Sequence, residues 1–132
     1  MVRILFCDND QAMLKTMGRY LSWYGIKVNE VEDPAQVVQI LEKSYYDLLI
    51  CNARMEPIDG LALCASIRNS LKISLQDLPI VMVVPENSTY EEFQFLRQQK
   101  VYFLMKYQSP EKWFEKIGAI LYNQNLKLAI KD

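Results

Sequence analysis

Histidine is absent from the 132 residues of this chain. That absence excludes acid–base catalysis by imidazole, histidine metal ligands and a phosphohistidine carrier within the chain. The three cysteines lie singly inside apolar segments without a Cys-x-x-Cys spacing, so we predict that they are core residues rather than a disulfide or zinc set. Many enzyme classes are thereby excluded.

A strong charge of either sign is also missing. The 15 Lys and Arg residues balance 16 Asp and Glu residues to a net charge of -1, which provides no electrostatic footprint for nucleic acid or an anionic membrane. No apolar run approaches the length of a membrane span, and residues 1–8 are too short and too soon acidic for a signal peptide. We therefore predict a cytoplasmic protein that binds neither nucleic acid nor membrane.

The chain does contain a fivefold alternation of short apolar runs with helical periodicity, which is typical of a parallel sheet flanked by helices. Its length, with 51% hydrophobic residues, suits one domain with a sizeable core. We expect an α/β domain over residues 1–122, followed by a C-terminal helix extension or a frayed tail over residues 123–132. The predicted strands are residues 2–7, 26–31, 47–51, 79–84 and 101–105.

Local signals mark several helix boundaries. Asp10 is a candidate N-cap of the first helix. Ser88 and Glu91 have the spacing of a capping box at the start of the fourth helix, because the hydroxyl and the carboxylate can each satisfy a terminal N–H group. Residues 69–78 are predicted to form a long connection. The second strand, residues 26–31, is more polar and is predicted at an edge of the sheet.

In an open parallel α/β sheet, functional residues gather beyond the carboxyl ends of the strands. Cys7 and Cys51 end neighbouring strands in such a sheet, which leaves a redox bridge between them as a minor alternative to two buried thiols. The residues to consider at this edge are Asp8, Asn9, Asp10, Asn52, Val84 and Lys106.

Residues 47–52 form an apolar strand that ends at Asn52, and residues 53–60 turn from it into a helix. This segment resembles the phosphoacceptor segment of the receiver domains of two-component response regulators, and the resemblance spans residues 3–121. It implies a flavodoxin-like (βα)5 fold, a doubly wound parallel sheet with strand order 2-1-3-4-5. In that family an aspartate stands at the position of Asn52 and takes a phosphoryl group from phosphohistidine. An amide has almost no nucleophilicity for this reaction.

The resemblance also implies roles for the other residues at this edge. Asp8 and Asn9 match the acidic pair that holds Mg²⁺, Val84 matches a Ser or Thr that bonds the phosphoryl group, and Lys106 matches the site lysine. Asp8 and Lys106 alone are retained, and we expect Lys106 to hydrogen bond to Asp8 or to the Asn52 amide oxygen. A hard cation is held by carboxylate oxygens, so we expect Mg²⁺ to bind weakly or not at all.

Two further residues complete the candidate site. Arg54 lies two residues beyond Asn52, and we hypothesise that its guanidinium turns toward Asp8 or Asp10 in place of Mg²⁺; the alternative is a solvated, idle side chain. Phe103 matches the switch aromatic of receivers. Because it has no hydroxyl to anchor an outer position, we predict that it is a fixed core contact.

The sequence therefore favours a binding module that is not an enzyme. We predict a receiver without its phosphoacceptor, which acts by phosphorylation-independent contact of its fourth helix, fifth strand and fifth helix with another protein or with a second copy. One alternative is a receiver phosphorylated on Asp8, Asp10 or Asp59. The other is a flavodoxin-like enzyme or nucleotide binder, which is disfavoured because residues 7–11 lack the glycines and hydroxyls that cradle phosphate.

Overall fold

The computed structural model describes residues 1–123. Five parallel strands form one sheet in the order β2-β1-β3-β4-β5, which confirms the predicted fold and strand order. Every strand begins and ends within one residue of its prediction. The strands are β1 (Arg3–Cys7), β2 (Lys27–Val31), β3 (Leu48–Asn52), β4 (Ile80–Val84) and β5 (Tyr102–Met105).

Helices connect the strands and cover both faces of the sheet. The predicted fourth and fifth helices are α5 and α6 here, and a 3₁₀ turn at Pro34–Gln36 leads into α2. The predicted extension or tail lies outside the described residues, apart from Asn123 at the end of α6. The helices are α1 (Gln11–Trp23), α2 (Val37–Lys43), α3 (Gly60–Arg68), α4 (Ile73–Gln76), α5 (Tyr90–Gln98) and α6 (Pro110–Asn123).

Alternate side chains of each strand face opposite sides of the sheet. Ile4 and Phe6 of β1 pack with α1 and α6, where the ring centroids of Phe6 and Trp113 lie 5.8 Å apart. Leu5 and Cys7 pack on the other side with α2, α3, α4 and α5. Because both faces are covered, β3 and β4 are buried along their whole length.

The edge position predicted for the second strand is confirmed. β2 pairs with β1 alone among the described strands, and most of its residues are exposed or half-buried. The side chains of Lys27 and Glu30 on this strand are exposed, whereas the Oδ1 atom of Asn29 is buried. Within residues 1–123, no helix is long and apolar enough to cross a membrane.

One local prediction is wrong, and one predicted connection contains a helix that was not predicted. Thr89, not Ser88, caps α5: its hydroxyl accepts from the Glu92 N–H at 3.2 Å, and the Glu92 carboxylate accepts from the Thr89 N–H at 3.0 Å. The Ser88 hydroxyl instead donates to the Pro85 carbonyl at 2.8 Å. The connection at residues 69–78 contains the short helix α4, because Leu75 is drawn into the core beside α2 and α3.

The start of α3 lies directly against the end of β3. A Cβ atom on Gly60 would lie 2.1 Å from the carbonyl oxygen of Asn52, so no other residue fits without displacing the strand. Asp59 caps this helix by accepting from the Leu61 N–H at 3.1 Å. The segment that joins Asn52 to α3 is thus held closely at both ends.

Candidate functional site

The carboxyl ends of four strands meet at one edge of the sheet. Asp8 follows β1, Asn52 ends β3, Val84 ends β4 and Lys106 follows β5. The parallel register brings Asp8 and Asn52 into direct contact, because the Asn52 Nδ2 atom lies 3.3 Å from each carboxylate oxygen of Asp8. An amide donor and a buried acid therefore stand at the centre of the site.

The orientation of the Asn52 side chain follows from its partners. Its Oδ1 atom accepts from the backbone N–H of Arg54 at 3.0 Å, and a backbone N–H can only donate. The Nδ2 atom must then face Asp8. Asn52 is 3% exposed, so its amide group forms hydrogen bonds with protein atoms rather than with solvent.

Asp8 is an acid in an unfavourable position. It is 1% exposed, and burial raises the pKa of its carboxyl above the ordinary value of 3.8. The N–H of Asp10 at 2.9 Å, the Asn52 amide and the charge of Lys106 lower that pKa in part. Burial therefore has the largest effect on the pKa of Asp8, and the hydrogen-bond donors and Lys106 offset only part of it.

The Lys106 contact expected from the sequence is not found. Within residues 1–123, no hydrogen bond joins its ammonium to Asp8 or Asn52, and Nζ lies 5.7 Å from the centroid of the Tyr107 ring. The influence of Lys106 on Asp8 is electrostatic. The position of Lys106 at the end of a strand could be predicted from the sequence. Its ammonium group, however, lies near the Tyr107 ring, with which a cation can interact favourably.

Asn9 has three long-range hydrogen bonds that the sequence did not predict. Its Nδ2 atom donates to the carbonyls of Glu32 at 2.9 Å and Glu56 at 3.0 Å, and its Oδ1 atom accepts from the Glu56 N–H at 2.7 Å. Asp10 lies beside it but caps α1, accepting from the N–H groups of Ala12 and Met13. The two neighbours therefore serve different elements.

The predicted contact of Arg54 with Asp8 or Asp10 is wrong. The Arg54 guanidinium pairs with Glu92 of α5, with 3.1 Å between Nη2 and Oε1. The same oxygen accepts from the Thr89 N–H, and that bond and then Arg54 hold the pKa of the Glu92 carboxyl below its ordinary value. The pair ties the loop after β3 to the start of α5, although the Arg54 side chain is 50% exposed.

Val84 and Phe103 contribute apolar surface to the site region. Val84 is buried in the core and presents no hydroxyl. Phe103 is half-buried, with its ring centroid 5.2 Å from that of Phe93 on α5. It also lines a groove of about 350 Å³ between β5 and α6, together with Lys112 and Glu115.

The thiols near the site are buried and unpaired. Cys7 and Cys51 are register neighbours on β1 and β3, and all three cysteines are free. Burial raises the pKa of the Cys7 thiol to about 12 and that of Cys51 well above its usual value. Their sulfur atoms contact Met55 and Met82, at 3.7 Å and 3.6 Å respectively. These thiols therefore behave as core residues.

Glu92 and Glu56 were missed as site residues. The capping-box spacing of Thr89 and Glu92 was a usable signal for the first. The second contributes only backbone atoms, which carry no sequence signal. Among residues 1–123, no group of three or more Asp, Glu, Cys or His side chains is placed to hold a metal ion.

Comparison with known proteins gives a consistent result. The sequence model of a family described as "Response regulator receiver domain" matches residues 4–118. "Response regulator MprA" of Mycobacterium ulcerans is 27% identical over 126 residues, which are 96% of this chain and 53% of that protein. Its counterpart in Mycobacterium leprae is 28% identical over 120 residues, 91% of this chain and 51% of that protein. The chain thus spans about half the length of these curated relatives.

Solved structures share the fold. The chemotaxis protein CheY4 of Vibrio cholerae superposes with a TM-score of 0.83 at 19% identity, covering 92% of this chain and 99% of that one. A CheY-like response regulator receiver domain protein of Methanospirillum hungatei JF-1 gives a TM-score of 0.85 at 21% identity, covering 95% and 97% of the two chains. At these identities the likeness concerns the fold alone.

Proposed function

This chain belongs to the response regulator receiver domain family, and from that premise we propose that it signals by phosphorylation-independent contact with another protein. The observation that carries the proposal is the Asn52 amide. A neutral, buried amide that donates to Asp8 stands where a receiver needs a nucleophilic carboxylate. Two-component signalling is the setting, and the loss of phosphoacceptor chemistry is the proposed feature of this member.

Weak or absent Mg²⁺ binding is part of the proposal. Mg²⁺ requires near-octahedral oxygen ligands, usually including one or two carboxylates and several waters. The donor set of this pocket does not fit that need, because the Asp8 oxygens face the Asn52 amide and the Asp10 N–H. The Asn9 oxygen is engaged by the Glu56 N–H. No catalytic step is proposed, and we infer that the chain is not an enzyme.

Phosphorylation on another acid has little geometric support. The carboxylates of Asp10 and Asp59 accept from helix N-terminal N–H groups, so they are engaged as caps of α1 and α3. Asp8 is almost fully buried, which denies a phosphodonor an in-line approach. We therefore favour a function that does not require a phosphoryl acceptor.

The proposed contact surface is formed by α5, β5 and α6. Three large aromatic residues are exposed on or beside these elements: Tyr90 at the start of α5, Tyr107 just after β5 and Tyr122 near the end of α6, at 70%, 79% and 72% respectively. The groove beside Phe103 adds a concave element between β5 and α6. Aromatic side chains at the centre of an interface commonly carry much of the binding energy. The occupant is proposed to be another protein, with a second copy as the alternative.

A cytoplasmic location is also proposed. Its support is the state of the cysteines, since three unpaired thiols suit a reducing compartment. Nucleic acid and membrane surfaces are not proposed as partners, because the net charge is close to zero.

Chemical modification tests the loss of phosphoacceptor function. The protein is treated with acetyl phosphate, or with beryllofluoride, in the presence of Mg²⁺, and amide NMR spectra and intact mass are recorded. We expect no added phosphate and no saturable shifts at residues 8, 52, 84 and 106. A receiver that retains its aspartate, treated in parallel, controls for reagent activity. Saturable shifts across the site would show that this function is wrong.

A binding assay tests the contact surface. Tyr107→Ala is expected to reduce recovery of the partner from a native-cell pull-down by at least about fivefold. Tyr45→Ala is the matched control, because Tyr45 is 68% exposed but precedes β3 at the amino end of the strands, whereas Tyr107 follows β5 at their carboxyl end. Equal recovery with both variants would place the interface elsewhere. Sedimentation of the protein alone distinguishes a second copy from a different partner.

A further inference from the structure

The side chain of Asn9 bonds to two loops that are remote from it in sequence. The carbonyl of Glu32, in the loop after β2, and the backbone of Glu56, in the loop after β3, are 23 and 47 residues away. Asn9 itself lies in the loop between β1 and α1. One side chain thus joins three of the loops that surround the site.

Only an amide fits these partners. The Glu56 N–H can only donate, so it requires an oxygen, and the two carbonyls can only accept, so they require N–H groups. A carboxylate at position 9 would keep the first bond and lose both others. It would also place negative charge against two carbonyl oxygens, which disfavours the bound geometry.

We propose that Asn9 is a positioning residue that ties the three loops together where a metal ion would otherwise organise the site. The inference deepens the proposed function, on which it rests, by identifying what holds the pocket. Asn9 is then a gained cross-link rather than a lost Mg²⁺ ligand. An acid at position 9 would loosen the loops in the absence of metal instead of restoring a receiver site.

Neighbouring bonds support a site organised without metal. Asn52 bonds to Asp8 across β1 and β3, and Arg54 bonds to Glu92 across the loop after β3 and α5. Together with Asn9, these contacts connect the loops that follow β1, β2 and β3 with the first turn of α5. The bonds of Asn9, Asn52 and Arg54 are all made between groups of the protein itself.

Hydrogen exchange at a single amide tests the proposal. The Glu56 N–H of the wild-type protein, in metal-free and phosphate-free buffer, is expected to be protected. Asn9→Ala should accelerate its exchange by about fivefold, the size expected for one lost hydrogen bond. Asn9→Asp should lower the urea midpoint by at least as much as Asn9→Ala, despite its closer shape. Asn87→Asp makes the same chemical change at an exposed loop position and should leave the midpoint unchanged.

The contrary result is equally defined. If Asn9→Asp unfolds at the wild-type midpoint and shows saturable amide shifts with Mg²⁺ alone, Asn9 is a simple lost ligand and the proposal is wrong. Should that variant not fold, unprotected exchange of the Glu56 N–H in the wild type would refute the cross-link by itself. Neither measurement uses a phosphodonor, so failure here is separate from failure of the proposed function.

Discussion

At the scale of a single residue, the amide of Asn52 determines the hydrogen bonding at the centre of the pocket. Its oxygen accepts a backbone N–H and its nitrogen donates to Asp8, so both halves of the group are used. Replacing that nitrogen by oxygen would turn an attraction into a repulsion between two carboxylates. The nitrogen atom of Asn52 is therefore the atom that keeps its contact with Asp8 attractive.

Asn52→Asp is expected to destabilise the protein without restoring stable phosphorylation. In Mg²⁺-free buffer the free energy of unfolding at neutral pH should fall by about 2 kcal/mol, since a buried donor is lost and two acids meet. Val84 still provides no hydroxyl and Asn9 no charge, so acetyl phosphate with Mg²⁺ should leave the intact mass unchanged. Urea unfolding and mass spectrometry provide the two readouts.

The matched control for this change is Asn87→Asp, in an exposed loop of the same protein. It should alter the free energy of unfolding by less than about 0.5 kcal/mol. Complete phosphorylation of Asn52→Asp would contradict the expectation, because it would show that the other replaced residues matter little.

The buried carboxyl of Asp8 should make stability depend on pH in a defined direction. Burial raises the pKa of Asp8 in the folded protein above 3.8, so the folded state keeps a proton that the unfolded chain releases. The contribution of Asp8 to the free energy of unfolding is therefore most favourable at pH values below 3.8, where the carboxyl is protonated in both states. It falls as pH rises through the raised folded pKa, and is constant above it.

Comparison of the wild type with Asp8→Asn isolates this effect. Urea unfolding from about pH 3.5 to about pH 7 should show that the stability of the wild type, relative to the variant, declines with rising pH. The variant is needed because Glu92, whose pKa is lowered, changes stability in the opposite direction. A difference that grows with pH would mean that Asp8 is stabilised as an anion by its surroundings.

The positions of the site residues in the fold could be predicted from the sequence, but their hydrogen-bond partners could not. Asp8, Asn52 and Lys106 were expected at one edge because each ends or follows a predicted strand, and the strands are where the sequence places them. The partner of Arg54 is 38 residues away in α5, and local sequence contains no information about that distance. Loop geometry decides such contacts, and a single sequence does not specify it.

At the scale of elements, one side chain connects several loops at the end of the sheet remote from Asn52. The guanidinium of Arg68, the last residue of α3, donates to the carbonyl of Leu78 at 2.6 Å and of Gln99 at 2.7 Å. It also donates to the carbonyls of Gln76 and Lys100. These bonds fasten α3 to the segments before β4 and β5.

Arg68→Lys should therefore be costly for a conservative change. An ammonium is a compact donor and cannot reproduce the planar fork that serves these carbonyls. We expect the free energy of unfolding to fall by about 1–3 kcal/mol in urea titration. Arg97→Lys, at an exposed position of α5, is the control and should have almost no effect. Equal effects of the two variants would deny Arg68 this role.

The elements themselves were predictable where burial dominates. Each strand was predicted within one residue. The prediction was simplest for β3 and β4, because a parallel strand covered on both faces must be a short apolar run. The helix α4 was missed, since four residues without a side-chain cap have no periodicity to detect. The capping box was misplaced by one residue because Ser88 and Thr89 each have a glutamate three positions later.

At the scale of the whole molecule, thiol reactivity should report unfolding. The three cysteines are buried, and burial raises the pKa of Cys64 to about 11 and of Cys7 to about 12. Because alkylation requires the thiolate, native protein at about pH 8 should resist iodoacetamide, while protein in urea should gain three labels. Mass spectrometry counts the labels. Rapid modification of any thiol without denaturant would reveal a local opening of the sheet.

The packing of Trp113 on Phe6 has a consequence for synthesis. The first strand and the last described helix meet in one cluster, so α1 and the strands cannot complete that layer before residues near 121 are available. A nascent chain on the ribosome would therefore carry an uncovered apolar surface for most of its elongation, the condition under which chaperones are engaged. Acquisition of the native state should consequently follow translation of α6 rather than proceed alongside it.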